Sequence, residues 1–299
     1  MAADRRSILI TGCSEGGVGA AVAFEYQKRG YQVFATARNT SKIPSTLTYL
    51  PNVTTITLDV TSESSIATGV EQVSKFTNGK LDILFNNAGT SLTCPVLDTE
   101  ISDARLQYEL HLIAPLATSK AFFPLLIKGT NAAILNNSSI AGETNLPFQG
   151  AYGASKAAIV NLGETMRLEL QPLGVRVITV VTGIIETKLH ENEKLTELPS
   201  TSYYAPLGQW LKERKAGTNR PAGMEVEEYA KLMVNKVESG KNGKIFVGPL
   251  TPLFVYMKWW MPTWIWVSLF KNSWLFEVEF ANVDVIGRIY VEGWTGEAE

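Results

Sequence analysis

Little in this chain points to metal, disulfide or nucleic-acid chemistry. Its 299 residues hold only two cysteines, Cys13 and Cys94, and two histidines, His111 and His190. Two thiols offer neither a disulfide framework nor metal-ligand spacing, and they suit a reducing compartment. Two scattered histidines are too few for a zinc site, so no metal is expected. Charge of one sign is equally scarce: 27 basic against 29 acidic residues leave a formal charge of −2, no footprint for nucleic acid. No secretory leader is expected ahead of residues 7–11, which already read as a buried strand. The glycosylation-type tripeptides at Asn39, Asn52 and Asn137 therefore read as chance matches. The longest apolar run, residues 245–270, is broken by Pro252, Lys258 and Pro262, short of the ~20 uninterrupted residues a spanning helix needs.

What is present is an alternation. Short apolar runs at 7–11, 31–36, 53–58, 81–85, 132–136, 175–181 and 244–247 alternate with helical stretches at 20–29, 63–76, 101–128, 151–172 and 225–238. This pattern predicts an α/β fold: a Rossmann-type, doubly wound parallel sheet with helices on both faces. It covers residues 1–250, with a hydrophobic, aromatic-rich extension over 251–299.

The first strand runs into Gly12-Cys-Ser-Glu-Gly-Gly-Val-Gly19 and then a helix. Glycines in such a turn let the backbone approach a pyrophosphate, whose charge sits at the positive end of the helix dipole. The same composition also serves ordinary turns, so the next strand matters. It ends Ala-Thr-Ala-Arg38, with no acidic residue to meet a free ribose 2′-hydroxyl. Arg38 can pair with a 2′-phosphate instead, favouring NADP(H) over NAD(H), although Glu15 is an unhelpful nearby charge. A solvated arginine is the plain alternative. After the fourth strand, Asn86-Asn-Ala-Gly89 supplies small residues where backbone can pass close under a ligand.

Residues 138–156 carry the candidate chemistry. Tyr152 and Lys156 lie four apart, one helical turn, with Ser139 thirteen residues upstream. A phenol with a pKa near ~10 is a poor acid at neutrality, and a neighbouring ammonium lowers that value. A serine hydroxyl alongside can polarise the same substrate oxygen. The set can move a proton to or from a carbonyl or alcohol oxygen. Tyr and Lys at this spacing are also ordinary on an exposed helix; the other motifs, in order, decide between the readings.

Taken together, Thr11-Gly12…Gly19, Asp59-Val60, Asn86-Asn-Ala-Gly89, Ser139, Tyr152-x-x-x-Lys156 and Thr182-Gly183…Thr187 resemble the short-chain dehydrogenase/reductases over roughly residues 5–250. Thr-Gly-Cys-Ser-Glu-Gly-Gly-Val-Gly, Phe-Ala-Thr-Ala-Arg and Val-Thr-Gly are similar to the fungal NADPH-dependent acyl-dihydroxyacetone-phosphate reductases within that family. The resemblance implies that Tyr152 is the general acid in carbonyl reduction, that Lys156 holds the nicotinamide ribose and lowers the Tyr152 pKa, and that Ser139 binds the substrate oxygen. It implies cofactor contacts from Gly12, Ser14, Gly17, Val18 and Gly19, from Arg38, and from Asp59 and Val60 beside the adenine. Asn87, Ala88 and Gly89 would form the floor, and Gly183, Ile185 and Thr187 would lie by the carboxamide.

Three departures stand out. The glycine loop is one residue longer than usual, so Gly16 and Gly17 compete for one role, and the usual Pro-Gly after the sixth strand is Thr182-Gly183. His111 falls where the family places a catalytic Asn, and is expected to hold a water leading to Lys156, or else merely to fill space. Residues 186–240 correspond to the family's variable substrate lid, where Tyr203, Tyr204 and Trp210 line a pocket or simply pack. Five of the seven tryptophans lie between 259 and 274. Residues 245–270 therefore suggest two short helices in a membrane interface, giving membrane contact through residues 245–274; a greasy lid and a subunit contact are the rivals.

The expected activity is NADPH-dependent reduction of a carbonyl, or the reverse oxidation, on a hydrophobic or lipid-like substrate such as an acyl-dihydroxyacetone phosphate. A secondary-metabolite ketoreductase or alcohol dehydrogenase is the alternative, and a non-catalytic NADPH-binding sensor or scaffold the alternative outside enzymes. The subgroup resemblance implies a cytoplasmic-side location, peripheral to endoplasmic reticulum or lipid droplets. A homo-oligomer is compatible with all of these.

Overall fold

The computed structural model describes residues 5–189, 198–215, 222–262 and 264–265. Seven parallel strands form one sheet: β1 Ser7–Ile10, β2 Gln32–Ala37, β3 Val53–Thr57, β4 Ile83–Asn86, β5 Ala133–Ser139, β6 Arg176–Thr182 and β7 Gly243–Val247. Their order is β3-β2-β1-β4-β5-β6-β7. The doubly wound sheet read from the alternation is the sheet observed. β1, β2 and β4 are buried along their whole length, which is why they read as continuous apolar runs rather than alternating ones.

Helices cover both faces. On one side α1 (Val18–Lys28) and α6 (Val226–Glu238) pack Val22, Tyr26, Tyr229 and Met233 against Ile8, Val33 and Phe85. On the other, α2 (Glu63–Thr77), α4 (Ala114–Leu126) and α5 (Gly150–Leu170) contribute Ile66, Val73, Phe122 and Met166, packed with Leu9 and Phe34. The winding reverses between β1 and β4, which pair directly. In such a sheet the crevice at the strands' carboxyl ends is the natural ligand site.

The stretch expected as one helix over 101–128 has a defect. Between α3 (Ile101–Tyr108) and α4, residues Glu109–Ile113 make a π-helical turn, with the Ala114 N–H bonded to the Glu109 carbonyl. Pro115 accounts for it: the residue has no N–H to give the preceding turn, and its ring crowds the carbonyl four residues back. The wider turn carries His111 on its inner side, 2 % exposed.

In the C-terminal region α7 (Thr251–Trp260) follows β7 as one of the two short helices expected over 245–270; residues 264–265 are helical again, and the rest of the expected second helix lies outside the described residues. Residues 266–299, most of the expected extension, lie outside the described residues, as do 190–197 and 216–221 of the expected lid.

Candidate active site

A cleft of about 960 Å³ opens at the carboxyl ends of the strands. Of the expected cofactor residues, Gly12, Ser14, Gly17, Val18, Arg38, Val60, Asn87, Ala88, Gly89, Gly183, Ile185 and Thr187 line it, together with Ser139, Tyr152, Lys156 and His111. Two do not. Asp59 turns its carboxylate to the Thr61 N–H and hydroxyl, at 3.0 and 2.7 Å. Gly19 lies in the first turn of α1, where a Cβ would come within 2.3 Å of the Gly12 carbonyl oxygen and 2.7 Å of Asn87 Nδ2.

The longer glycine loop divides the role that Gly16 and Gly17 were expected to contest. Gly16 takes a left-handed φ of +72°, open to few side chains. Gly17 is the extended N-cap of α1, with no side chain to cap it, and faces the cleft with Val18. The unsatisfied N–H groups of that first turn thus point where a pyrophosphate would lie. The loop fits a dinucleotide on its own geometry.

A chain of side-chain hydrogen bonds holds the floor. Asn87 Nδ2 donates to the Thr11 and Gly12 carbonyls at 2.9 and 3.1 Å, and its Oδ1 accepts from Asn137 Nδ2 at 2.9 Å. Asn137 Oδ1 accepts from Thr182 Oγ1 at 2.7 Å. That spends the Thr182 proton, so the fully buried Tyr229 hydroxyl must donate to Thr182, also at 2.7 Å. One line of bonds joins the glycine loop, β4, β5, β6 and α6. Sequence reasoning missed Asn137, Thr182's hydroxyl and Tyr229. The first precedes Ser138-Ser139, but nothing local marks Tyr229.

Lys156 donates from Nζ to the Asn137 backbone carbonyl at 2.9 Å and lies 5.8 Å from the centre of the Tyr152 ring. Burial brings its pKa down to about 7. Ser139 Oγ accepts the Ala141 N–H at 3.1 Å, leaving its own proton to donate to a substrate oxygen. Tyr152 is 8 % exposed and packs with Leu92, Cys94 and Ala141.

His111 is held differently from the expected relay. Its Nε2 accepts the Thr90 N–H at 3.3 Å, so Nε2 carries no proton. Its Nδ1 lies 2.9 Å from Ser155 Oγ, whose own proton goes to the Tyr152 carbonyl at 2.7 Å. Nδ1 therefore carries the hydrogen, and both ring nitrogens are committed away from Lys156. The ring meets Tyr152 edge-to-face, 5.5 Å between centres and 84° between planes. Burial first, and the Lys156 charge second, hold its pKa well below the usual value. Gly89 makes room for it: a Cβ there would come within 2.6 Å of Nε2. A neutral imidazole thus pins the floor loop to the Tyr152 helix.

A family model described as short chain dehydrogenase matches residues 6–198. The chain belongs to the short-chain dehydrogenase/reductase family. It is 38 % identical to the short-chain dehydrogenase PC-15 of Penicillium crustosum over 262 residues, 88 % of this chain and 95 % of that one. It is 36 % identical to the NADPH-dependent 1-acyldihydroxyacetone phosphate reductase of Schizosaccharomyces pombe over 227 residues, 75 % of each chain. Among solved structures, a short-chain dehydrogenase from Streptomyces avermitilis superposes with a TM-score of 0.76 at 25 % identity, covering 91 % of this chain and 97 % of the other.

Proposed function

We propose that the protein is an NADPH-dependent reductase of a carbonyl on a hydrophobic substrate, with Tyr152 as the acid. The observation that carries this reading is the convergence of Ser139, Tyr152 and Lys156 on one cleft that also holds the open N-terminus of α1. The chemistry supplied by a bound nicotinamide cofactor is hydride transfer. The chain's own residues handle the proton and the orientation. Ser139 donates to the carbonyl oxygen and fixes it; Tyr152 passes its phenolic proton to that oxygen. The Lys156 ammonium favours the phenolate left behind.

The phosphorylated cofactor is supported by Arg38, which lines the cleft with Asn39 and Lys42. Arg38 makes no hydrogen bond or ion pair among the described residues, and its charge helps hold the Asp59 pKa down, behind that group's bonds to Thr61. The S. pombe relative carries NADPH in its name. Leu92, Leu106, Leu110, Leu146, Ile184 and Phe254 make the far end of the cleft apolar, which suits an acyl chain or a polycyclic ketone. NADPH oxidation against lipid and aromatic ketones tests the reading. Tyr152→Phe should abolish turnover and leave NADPH affinity within about twofold, because only the proton donor is lost. Retention of more than a few per cent of the rate would require another acid.

The expected lipid contact has a surface to suit it. On α7, Thr251 and Val255 face inward, and Lys258 donates to the Glu143 carbonyl at 2.7 Å and to Asn145 at 2.9 Å. Leu253, Tyr256, Trp259 and Trp260 stay exposed, and Phe254 reaches the cleft mouth. This aromatic face is the part of the molecule proposed to lie on a phospholipid surface, its rings at headgroup depth. No helix among the described residues is long and apolar enough to cross a membrane.

A further inference from the structure

The turn that follows Ser139 is fixed by α5 and by two lysines from the C-terminal segment. Ser139 Oγ caps this tight turn, Ile140–Gly142. The Ile140 carbonyl accepts the Glu143 and Thr144 N–H groups at 3.0 and 2.8 Å and the Thr144 hydroxyl at 2.9 Å. The turn lies directly on α5. A Cβ on Gly142 would come within 2.6 Å of the Lys156 carbonyl carbon, and one on Gly153 within 2.8 Å of the Ala141 carbonyl oxygen. Just before the turn, Ser138 Oγ donates to the Lys156 carbonyl at 2.9 Å. With so little clearance, a shift of the turn changes the spacing between Ser139 and Tyr152.

The two lysines hold the far end of the turn, at 143–145. Lys244, on β7, pairs at 3.0 Å with the Glu143 carboxylate, whose side chain is only 8 % exposed. Lys258, on α7, donates from Nζ to the Glu143 carbonyl at 2.7 Å and to Asn145 Oδ1 at 2.9 Å. Both lie beyond residues 6–198, the span that the family model matches. Thr251, Val255 and Lys258 fall at i, i+4 and i+7, the spacing of one helix face, and the first two are buried. A cation at the third position of that face gives up side-chain freedom and part of its hydration, a cost that an apolar residue there would avoid. Burial accordingly lowers the Lys258 pKa. The bonds to Glu143 and Asn145 are what the lysine gains. Any surface loop could offer acceptors to fasten α7; these belong to the turn that carries Ser139.

We infer that Lys258 is a positioning residue for the reduction: from α7 it clamps Glu143 and Asn145 and so fixes the turn that aims the Ser139 hydroxyl at the substrate oxygen. This rests on the reductase reading, which gives Ser139 that task, and it extends the catalytic architecture into the C-terminal helix. α7 then has an inner face that sets the site and an outer, aromatic one.

The test joins kinetics to hydrogen exchange on the NADPH-loaded protein. NADPH oxidation is followed in single turnover with 1-tetralone and with 1-palmitoyl-dihydroxyacetone phosphate. Lys258→Met should lower the rate at saturating ketone about ten- to a hundredfold, the scale of a misplaced reacting group, with NADPH affinity unchanged. Lys258→Arg should stay within about threefold of wild type, since a guanidinium also offers several donors. In a Ser139→Ala background Lys258→Met should cost less than about twofold, because the group it positions is already gone. The peptide spanning 140–146 should exchange several times faster in Lys258→Met than in wild type. Should the methionine variant not fold, Asn145→Ala, which removes one of the ammonium's two acceptors at an exposed position, is carried through the same cycle. A wild-type rate in the variant, an equal loss with and without the Ser139 hydroxyl, no rescue by arginine, or unchanged exchange of 140–146 would overturn the positioning role and leave Lys258 as a fastener of α7. Faster exchange in Lys258→Met, with no NADPH oxidised by wild type on either ketone, would leave the clamp standing and remove the reductase reading instead.

Discussion

Replacing His111 with leucine tests the clamp between the floor loop and the Tyr152 helix through its dependence on pH. The substitution leaves the part-buried Thr90 N–H without its acceptor, a cost of about 0.5–1.5 kcal/mol. It also removes the edge-to-face contact with Tyr152, about 0.5–1.5 kcal/mol. Ser155 loses little, because its proton stays on the Tyr152 carbonyl. A destabilisation of about 1–3 kcal/mol should lower the melting temperature by roughly 2–12 °C at pH 7.5. The pH term separates a clamp from mere packing. The His111 pKa is depressed in the folded state, so the folded protein binds fewer protons than the unfolded chain below the unfolded value of ~6.5. The stability supplied by the ring is complete above that value and is lost as the pH falls through it. Between pH 7.5 and 5.5 the loss reaches up to about 1.4 kcal/mol, and the gap between wild type and His111→Leu should narrow by that amount. Lys156 titrates in both proteins and largely drops out of the difference. Urea melts of the two proteins at both pH values make the measurement. A gap that stays constant would mean that the neutral ring is not being selected, and the tautomer argument would fail.

Arg38→Asp should shift the NADPH/NADH ratio of kcat/KM towards NADH by about ten- to a hundredfold, the worth of a charge-assisted phosphate bond; an unchanged ratio would remove Arg38 from cofactor recognition. Lys156→Met should abolish turnover yet raise the melting temperature of the cofactor-free protein at pH 6. Burial depresses the Lys156 pKa to about 7, so the wild type loses stability as the pH falls from the unfolded value of ~10.4 through that point, and the methionine variant does not. A lower melting temperature in the variant at pH 6 would contradict this. Trp259→Ser combined with Trp260→Ser should cut co-sedimentation with phosphatidylcholine vesicles severalfold while the catalytic cleft stays intact; equal sedimentation of both proteins would detach α7 from any lipid role.

Much of this architecture is written in local residue patterns. β1, β2 and β4 announce themselves because strands buried on both faces must be apolar throughout. The glycine loop and Tyr152-x-x-x-Lys156 are legible because each packs its chemistry into a short span. The features that escaped depend on what other elements bring across. His111 could be placed on its helix from spacing, but its hydrogen bonds depend on a π turn forced by Pro115 and on Ser155 from another helix. Asp59 sits where an adenine contact was expected, yet the Thr61 hydroxyl two residues on captures its carboxylate.

The side-chain line from Tyr229 through Thr182, Asn137 and Asn87 to Gly12 bears on how this scaffold can change. Its links are directional, and each member's donors and acceptors are matched to the next, so few other residue types could replace one member alone. The rim above, from Leu92 to Phe254, is held by shape and greasiness, which many combinations of apolar residues satisfy. Substitutions can therefore accumulate in the rim without disturbing the base beneath it. Mutational drift in this protein should be fast in what it recognises and slow in how it positions the reacting atoms. A library randomised at the rim should consequently yield many folded members with altered ketone preference, whereas one randomised along the hydrogen-bonded line should yield few.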